Sequence, residues 1–212
     1  MVKIEKEREA MEKVLFTMWE KAIHMHEKVL PMLKEKNKDI ALEIMKEDDF
    51  MNHLEEEVNL LALNVLALLS PVASDLRYVI STIKIASELE RIGDYAKNIG
   101  MWILKNSMVE AHVLEYAQEM EMIIIEMLKQ TKIGYEKQDM EIVFSIPQQD
   151  KRVNHLEKEW NATLHTYTDI EKLKQVLSIA PMLRNVERAG DHTKNICEHI
   201  IYLVKGQYYD FG

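Results

Sequence analysis

One cysteine, Cys197, stands in 212 residues, so no intrachain disulfide can form and a reducing compartment fits. It lies in the run Ile196, Cys197, Ile200, Ile201, where a buried small hydrophobe is the reading. Six glycines, four prolines and 7% aromatic residues supply little turn or strand chemistry, which favours helices. The longest apolar run, Leu60 to Leu69, has ten residues and contains Asn64, too short to span a bilayer. The stretch Met1-Val-Lys-Ile-Glu-Lys-Glu-Arg has no signal-peptide core, so a cytoplasmic chain, peripheral to a membrane at most, is expected. Clustered Lys and Arg are absent and the net charge is −9, which argues against a nucleic-acid surface and for cations as partners.

Catalytic patterns are missing too. None of the eight histidines has Glu three positions before it, as a helical di-iron site requires, and no His-x-x-x-His zinc motif occurs. Neither a P-loop nor a nucleophile with its base is legible, so the chain reads as non-enzymatic.

What is present is long helical periodicity. Met11, Leu15, Met18, Ala22, Met25, Val29 and Met32 form a heptad seam, with Pro31 expected to kink or fray its end. His24 and His26 are two apart and read as surface residues. Asp39 is the expected cap of a second helix with seam Ile40, Ile44, Glu47, Met51, Leu54, Val58, Leu61, Val65 and Leu68, ending at Ser70-Pro71. A third helix starts near Ser74 or Asp75, with seam Ile85, Leu89, Ile92, Ala96, Ile99 and Ile103. The fourth, capped at Asn106-Ser107, carries Val113, Ala117, Met120, Ile124 and Met127. The fifth opens at Asp139 with seam Ile142, Ile146, Val153, Leu156, Trp160 and Leu164. The sixth begins near Asp169, bends at Pro181 and closes at Gly206, leaving 207–212 as a tail.

The helices repeat. Glu90-Arg-Ile-Gly-Asp-Tyr-Ala-Lys-Asn-Ile99 and Glu187-Arg-Ala-Gly-Asp-His-Thr-Lys-Asn-Ile196 agree at seven of ten positions, at an offset of 97. Asn52-His-Leu-Glu-Glu-Glu-Val-Asn59 and Asn154-His-Leu-Glu-Lys-Glu-Trp-Asn161 agree at six of eight, at an offset of 102. A fixed-offset repeat means one supersecondary unit used twice. The expected fold is therefore all-α, two similar three-helix bundles, with residues 1–106 as the first unit and 107–212 as the second.

Four-residue spacing places Glu90 and Asp94 on one helical face with Asn98, and Glu187 and Asp191 with Asn195. Like charges so placed cost an isolated helix about 0.2–0.5 kcal/mol, so each pair asks for a nearby cation. Two readings supply one: a solvated face neutralised by Lys97 and Lys194, or a divalent ion held by hard oxygen ligands. Gly93 and Gly190 weigh on this, because glycine inside a helix costs about 1 kcal/mol against Ala. They point to close approach by a backbone, a side chain or a ligand. A second polar stripe, Asp48, Asn52, Glu55 and Asn59, recurs as Asp150, Asn154, Glu157 and Asn161 alongside the seam. Asp48 and Asp150 are candidate ligands. Asn52, Glu55, Asn98, Asn154, Glu157 and Asn195 are candidates for the surrounding shell. His53 and His155 are open between partly buried hydrogen-bonding residues and ligands.

Taken with the turn Pro71-Val-Ala-Ser-Asp-Leu-Arg77 and the ending Ile201-Tyr-Leu-Val-x-Gly206, these repeats resemble the PhoU family of phosphate-uptake regulators over nearly the whole chain. The resemblance implies six helices in two three-helix bundles. It implies metal on the repeated Glu/Asp-x-x-x-Asp motifs, hence on Glu90, Asp94, Glu187 and Asp191. The all-oxygen set favours iron or manganese, with magnesium or calcium as alternatives. It also implies a peripheral regulator that connects a phosphate ABC transporter to a sensor histidine kinase and represses phosphate-starvation genes. The alternatives are an accessory of a sodium–phosphate cotransporter and a metal-free structural scaffold. The second copy departs from the pattern at Ala189 and Arg184, where the first has Ile92 and Ser87, and lacks a counterpart of Pro71 to Arg77. A homodimer is expected, on the ground that two bundles joined end to end would leave Trp19, Trp102 and Tyr208 as spare apolar positions.

Overall fold

The structure is a computed structural model that describes residues 2–106 and 114–212. The expected boundary at 106/107, the cap at Ser107 and the seam member Val113 touch or lie in 107–113, outside the described residues. Among those described there are helices and no strand: α1 (Val2–Glu35), α2 (Lys38–Leu68), α3 (Ala73–Lys105), α4 (Glu115–Lys137), α5 (Met140–Thr163), a 3₁₀ turn at Leu164–Thr166, α6 (Ile170–Leu177) and α7 (Ala180–Lys205). Helices α1, α2 and α3 pack on one another, as do α4, α5 and α7. The two bundles join side by side, not end to end, through α3 along α7 and α1 along α4.

The seam on α1 is the plainest case of sequence becoming core, since Met11, Leu15, Met18, Ala22, Met25, Val29 and Met32 are all inaccessible. Methionine suits this place, because its flexible chain fills the irregular gap between two bundles. The helix continues through Pro31 to Glu35. Met32 and Leu33, both fully buried, anchor a last turn that the missing proline N–H would otherwise loosen.

Caps follow local chemistry, with two corrections. Asn37, not Asp39, caps α2, accepting from the N–H groups of Asp39 and Ile40. Helix α3 starts at Ala73, before Ser74 and Asp75, and Asp75 serves by accepting from the Val72 N–H at 3.2 Å. Asp139 caps α5 and Asp169 caps α6 as expected. The sixth helix is broken at Ser178–Ile179 into α6 and α7, so Pro181 lies in the first turn of α7, where it has no donor to lose. Gly206 ends α7 at φ +68°, donating to the Tyr202 carbonyl.

Two other expectations fail. His26 is fully buried, not on the surface, because position 26 lies one turn after Ala22 and two turns before Leu33 on the packed face. Trp19 and Trp102 are also buried, and only Tyr208 of the proposed apolar surface is exposed. The tail does not hang free. Phe211 and Tyr209 pack edge-on against Phe144 of α5, and the Phe211 N–H donates to Glu198 of α7 at 3.0 Å.

Candidate functional site

In the first bundle α2 and α3 bring the two acidic stripes together. Asp48 is 1% exposed and belongs to the buried seam of α2, not to its flank. Glu47, the expected seam member, lies at the edge and is held by Lys28 at 2.8 Å. Lys97, from the next helix, makes this burial tolerable. Its ammonium donates to Asp48 Oδ2 at 2.7 Å and to Asp94 Oδ1 at 3.2 Å. Asn98 donates to the other oxygen of Asp94 at 2.9 Å. Glu90, half-buried beside them, has its carboxyl pushed above the ordinary range, first by burial and then by the charges of Glu55, Asp94 and Asp48.

The second bundle repeats the plan on α5 and α7 more loosely. Lys194 lies 3.2 Å from Asp191 Oδ1 but 3.6 Å from Asp150 Oδ2, and it also donates to the Gly212 carbonyl at 2.8 Å. Asn154 takes up the slack by donating to Asp150 Oδ2 at 3.1 Å. Burial pushes the Asp150 carboxyl up despite Lys194, and burial, Asp191, Glu157 and Asp150 together push Glu187 up. The glycines explain the close packing. A Cβ on Gly190 would stand 2.7 Å from Asp150 Oδ1, whereas one on Gly93 would meet the side chains of Met51 at 3.4 Å and Met25 at 3.6 Å.

Of the candidates for the surrounding shell, Glu55, Glu157, Asn98 and Asn154 lie at their clusters. Asn52 is half-buried on α2 and makes no hydrogen bond there, while Asn195 leaves its own cluster to donate to Glu88 at 3.2 Å. His53 and His155 are exposed and make contacts only within their own helices, His53 with Glu56, and His155 with Glu159 and Arg152.

The donor chemistry fits a hard cation. In both bundles the buried Oδ1 of the seam aspartate, Asp48 or Asp150, has no hydrogen-bond partner among the described residues, and an unpaired carboxylate oxygen at that depth is costly. The arrangement is nonetheless closed by lysine. Among the described residues no three His, Cys, Asp or Glu side chains converge closely enough to hold an ion as they stand.

Sequence reasoning missed the polar contacts that join the bundles. Glu88 of α3 accepts from His192 Nδ1 of α7, with His199 at 3.6 Å, and Tyr95 pairs with His192 Nε2 at 3.0 Å. Burial alone would raise the Glu88 carboxyl, but the two histidines and Asn195 bring it down to about 2. On the other side His26 of α1 pairs with Glu121 of α4, both fully buried, and its second nitrogen meets the Ile92 carbonyl at 2.9 Å. Burial by itself depresses His26, yet Glu121 and Ile92 hold it above its ordinary value.

A duplicated three-helix bundle with a lysine-closed carboxylate cluster in each half defines a class of all-α repeat protein. The PhoU domain family matches residues 15–103 and 117–200, most of both bundles, and the chain belongs to that family. It is 33% identical over 172 residues to the phosphate-specific transport system accessory protein PhoU of Escherichia coli, covering 80% of this chain and 71% of that one. It is 30% identical over 181 residues to the PhoU homolog of Zymomonas mobilis, covering 84% of this chain and 76% of that one. The crystal structure of PhoU from Pseudomonas aeruginosa superposes with a TM-score of 0.90 at 28% identity, covering 96% of this chain and 99% of that one.

Proposed function

We propose that the protein is a cytoplasmic, non-catalytic accessory regulator of phosphate transport whose two carboxylate clusters take up divalent or trivalent metal, iron or manganese first. The observation that carries the metal reading is the twice-repeated buried aspartate with one unpartnered oxygen, packed against Glu-x-x-x-Asp on a neighbouring helix, α3 in the first bundle and α7 in the second. In this reading Lys97 and Lys194 hold the carboxylates together without metal and withdraw when an ion arrives. Asp48, Glu90 and Asp94 would then be ligands in the first bundle, and Asp150, Glu187 and Asp191 in the second. The ion supplies concentrated positive charge where one ammonium now stands.

The transport reading rests on the relatives, which are named for the phosphate-specific transport system. The proposal extends to coupling of a phosphate ABC transporter to a sensor histidine kinase and to repression of the starvation response, which family membership supports. Among the described residues no helix is long and apolar enough to cross a membrane, which suits a peripheral partner. The corner where α2 meets α3 offers a docking face. Leu60, Leu63, Leu68 and Val72 are each at least 60% exposed there, an apolar surface that suits the transporter or a second copy.

Isothermal titration with manganese, after removal of metal by chelator, tests the metal reading. Saturable binding that is lost in the Asp48→Asn, Asp150→Asn double variant is expected. Unaltered binding in that variant would remove the clusters as the metal site.

A further inference from the structure

The second copy's departures from the first converge on one place. Between the C-terminal half of α5 and the start of α7 lies a pocket of about 520 Å³, lined by Glu157, Trp160, Asn161, Pro181, Arg184 and Arg188 among others. Arg184 and Arg188 are one turn apart on α7, so their guanidinium groups share a face. Neither makes a hydrogen bond or a salt bridge with any described residue; Arg184 only lowers the Glu187 carboxyl through its charge. Trp160 is 3% exposed, and its Nε1 donor has no acceptor. Asn185, also on the lining, spends its amide on the Pro181 carbonyl at 2.8 Å, which stiffens the first turn of α7.

These groups are not leftovers of the duplication. In the repeat register the first bundle has Ser87 for Arg184, Lys84 for Pro181 and Val58 for Trp160, while Glu88, in the place of Asn185, is engaged by His192 and His199. The paired guanidiniums, the indole and the proline belong to the second bundle alone. In a chain of net charge −9, two arginines one turn apart stand over a concavity with no partner among the described residues, an arrangement that suits an anion. Guanidinium forks match the geometry of tetrahedral oxyanions and bind them bidentately.

We propose that this pocket binds a small phosphate oxyanion, either inorganic phosphate or the phosphate group of a small phosphorylated metabolite. Arg184 and Arg188 clamp the oxygens, and Asn161 offers a further amide donor. The volume exceeds what inorganic phosphate fills, leaving room for an ester substituent against Trp160 and Pro181. The site needs no metal of its own, although it borders the second carboxylate cluster, since Glu157 lies on its lining and Arg184 acts on Glu187.

The test is isothermal titration of the full chain in phosphate-free buffer containing chelator, with inorganic phosphate, glycerol 3-phosphate and adenosine monophosphate as separate probes. Saturable binding of at least one probe, with one site per chain, is expected. Arg184→Ser, which installs the first bundle's residue, should weaken it at least tenfold, and Arg184→Lys, which keeps the charge but not the fork, by less. Unchanged far-ultraviolet circular dichroism shows that the variants are folded. Binding of an ester but not of inorganic phosphate supports the site and assigns the metabolite as its source. The proposal is overturned if no probe binds saturably, if binding appears only when chelator is left out, or if Arg184→Ser with Arg188→Gln binds as the parent does. Loss of manganese binding in the Asp48, Asp150 double variant bears on the clusters alone, so the two readings fail separately.

Discussion

The two bundles descend from one plan and differ in how tightly they close it. In the first, Lys97 lies 2.7 Å from a buried aspartate; in the second, Lys194 lies 3.6 Å from its counterpart and divides its donors with the Gly212 carbonyl. The first cluster is a short ion pair bridging two helices, its lysine partly exposed. The second is held partly by Asn154 and partly by a tail that the first bundle lacks. Duplication thus preserved the carboxylates while their neutralising contacts diverged. The cluster with the weaker lysine should yield more easily to a competing ion.

The largest expected effect breaks this comparison at the lysines. Lys97→Met in chelated buffer leaves the buried Asp48 without its cation and should cost about 3 kcal/mol, the low end for a broken buried pair because Lys97 is partly exposed. Lys194→Met should cost clearly less, since Asp150 keeps Asn154. Urea denaturation with unchanged slopes measures both. Equal losses would mean that the difference between 2.7 and 3.6 Å carries no energy.

The glycines sharpen the contrast at a smaller scale. Gly190→Ala must displace the Asp150 carboxylate and should destabilise by about 1–3 kcal/mol, as overpacking does. Gly93→Ala meets two flexible methionines, Met51 and Met25, and should be neutral or stabilise by up to about 1 kcal/mol through helix propensity. Thermal unfolding of the two variants should move in opposite directions.

Smaller still, and opposite in sign at different places, is the response to pH. The Glu90, Glu187 and Asp150 carboxyls titrate above their ordinary values in the folded chain, which therefore holds protons there more readily than the unfolded chain. Metal-free stability should rise as pH falls from neutrality toward about 4.5. The Glu88 carboxyl is lowered to about 2, so its contribution, complete above about 4.5, is lost as pH falls from there toward 2. His26 is raised, so the stability from its pair with Glu121 is complete below about 6.5 and is lost as pH rises through its folded value. Glu88→Gln should remove the acid limb, and Glu121→Gln the alkaline one.

Much of the fold was legible because it is written in periodicity. The methionine seam of α1 and the apolar seam of α3 enter the core residue for residue. The carboxylate clusters were legible as repeats, since offsets of 97 and 102 preserved Glu90, Asp94 and Asp48 with their copies. Which acid enters the core was not. A seam that steps from Ile44 to Met51 can pass through Glu47 or Asp48, and the choice depends on Lys97 arriving from another helix. The bridges between bundles were invisible for the same reason, as His192 and Glu88 are separated by 104 residues and no pattern along one helix links them. His26 did carry a signal. Its spacing from Ala22 and Leu33 puts it on the packed face, where a lone histidine needs a buried partner.

The most direct test of the central claim, that the two clusters are cation sites held closed by lysine, is thermal unfolding with increasing manganese after chelation. The claim predicts stabilisation of about 2.7 kcal/mol per occupied cluster at a hundredfold excess over the dissociation constant, from RT ln(1 + [L]/Kd) for each site. It also predicts that manganese restores part of the stability lost in Lys97→Met, and that Asp94→Ala with Asp191→Ala abolishes the response. A melting temperature indifferent to manganese in the parent, or an identical rise in parent and double variant, would contradict it.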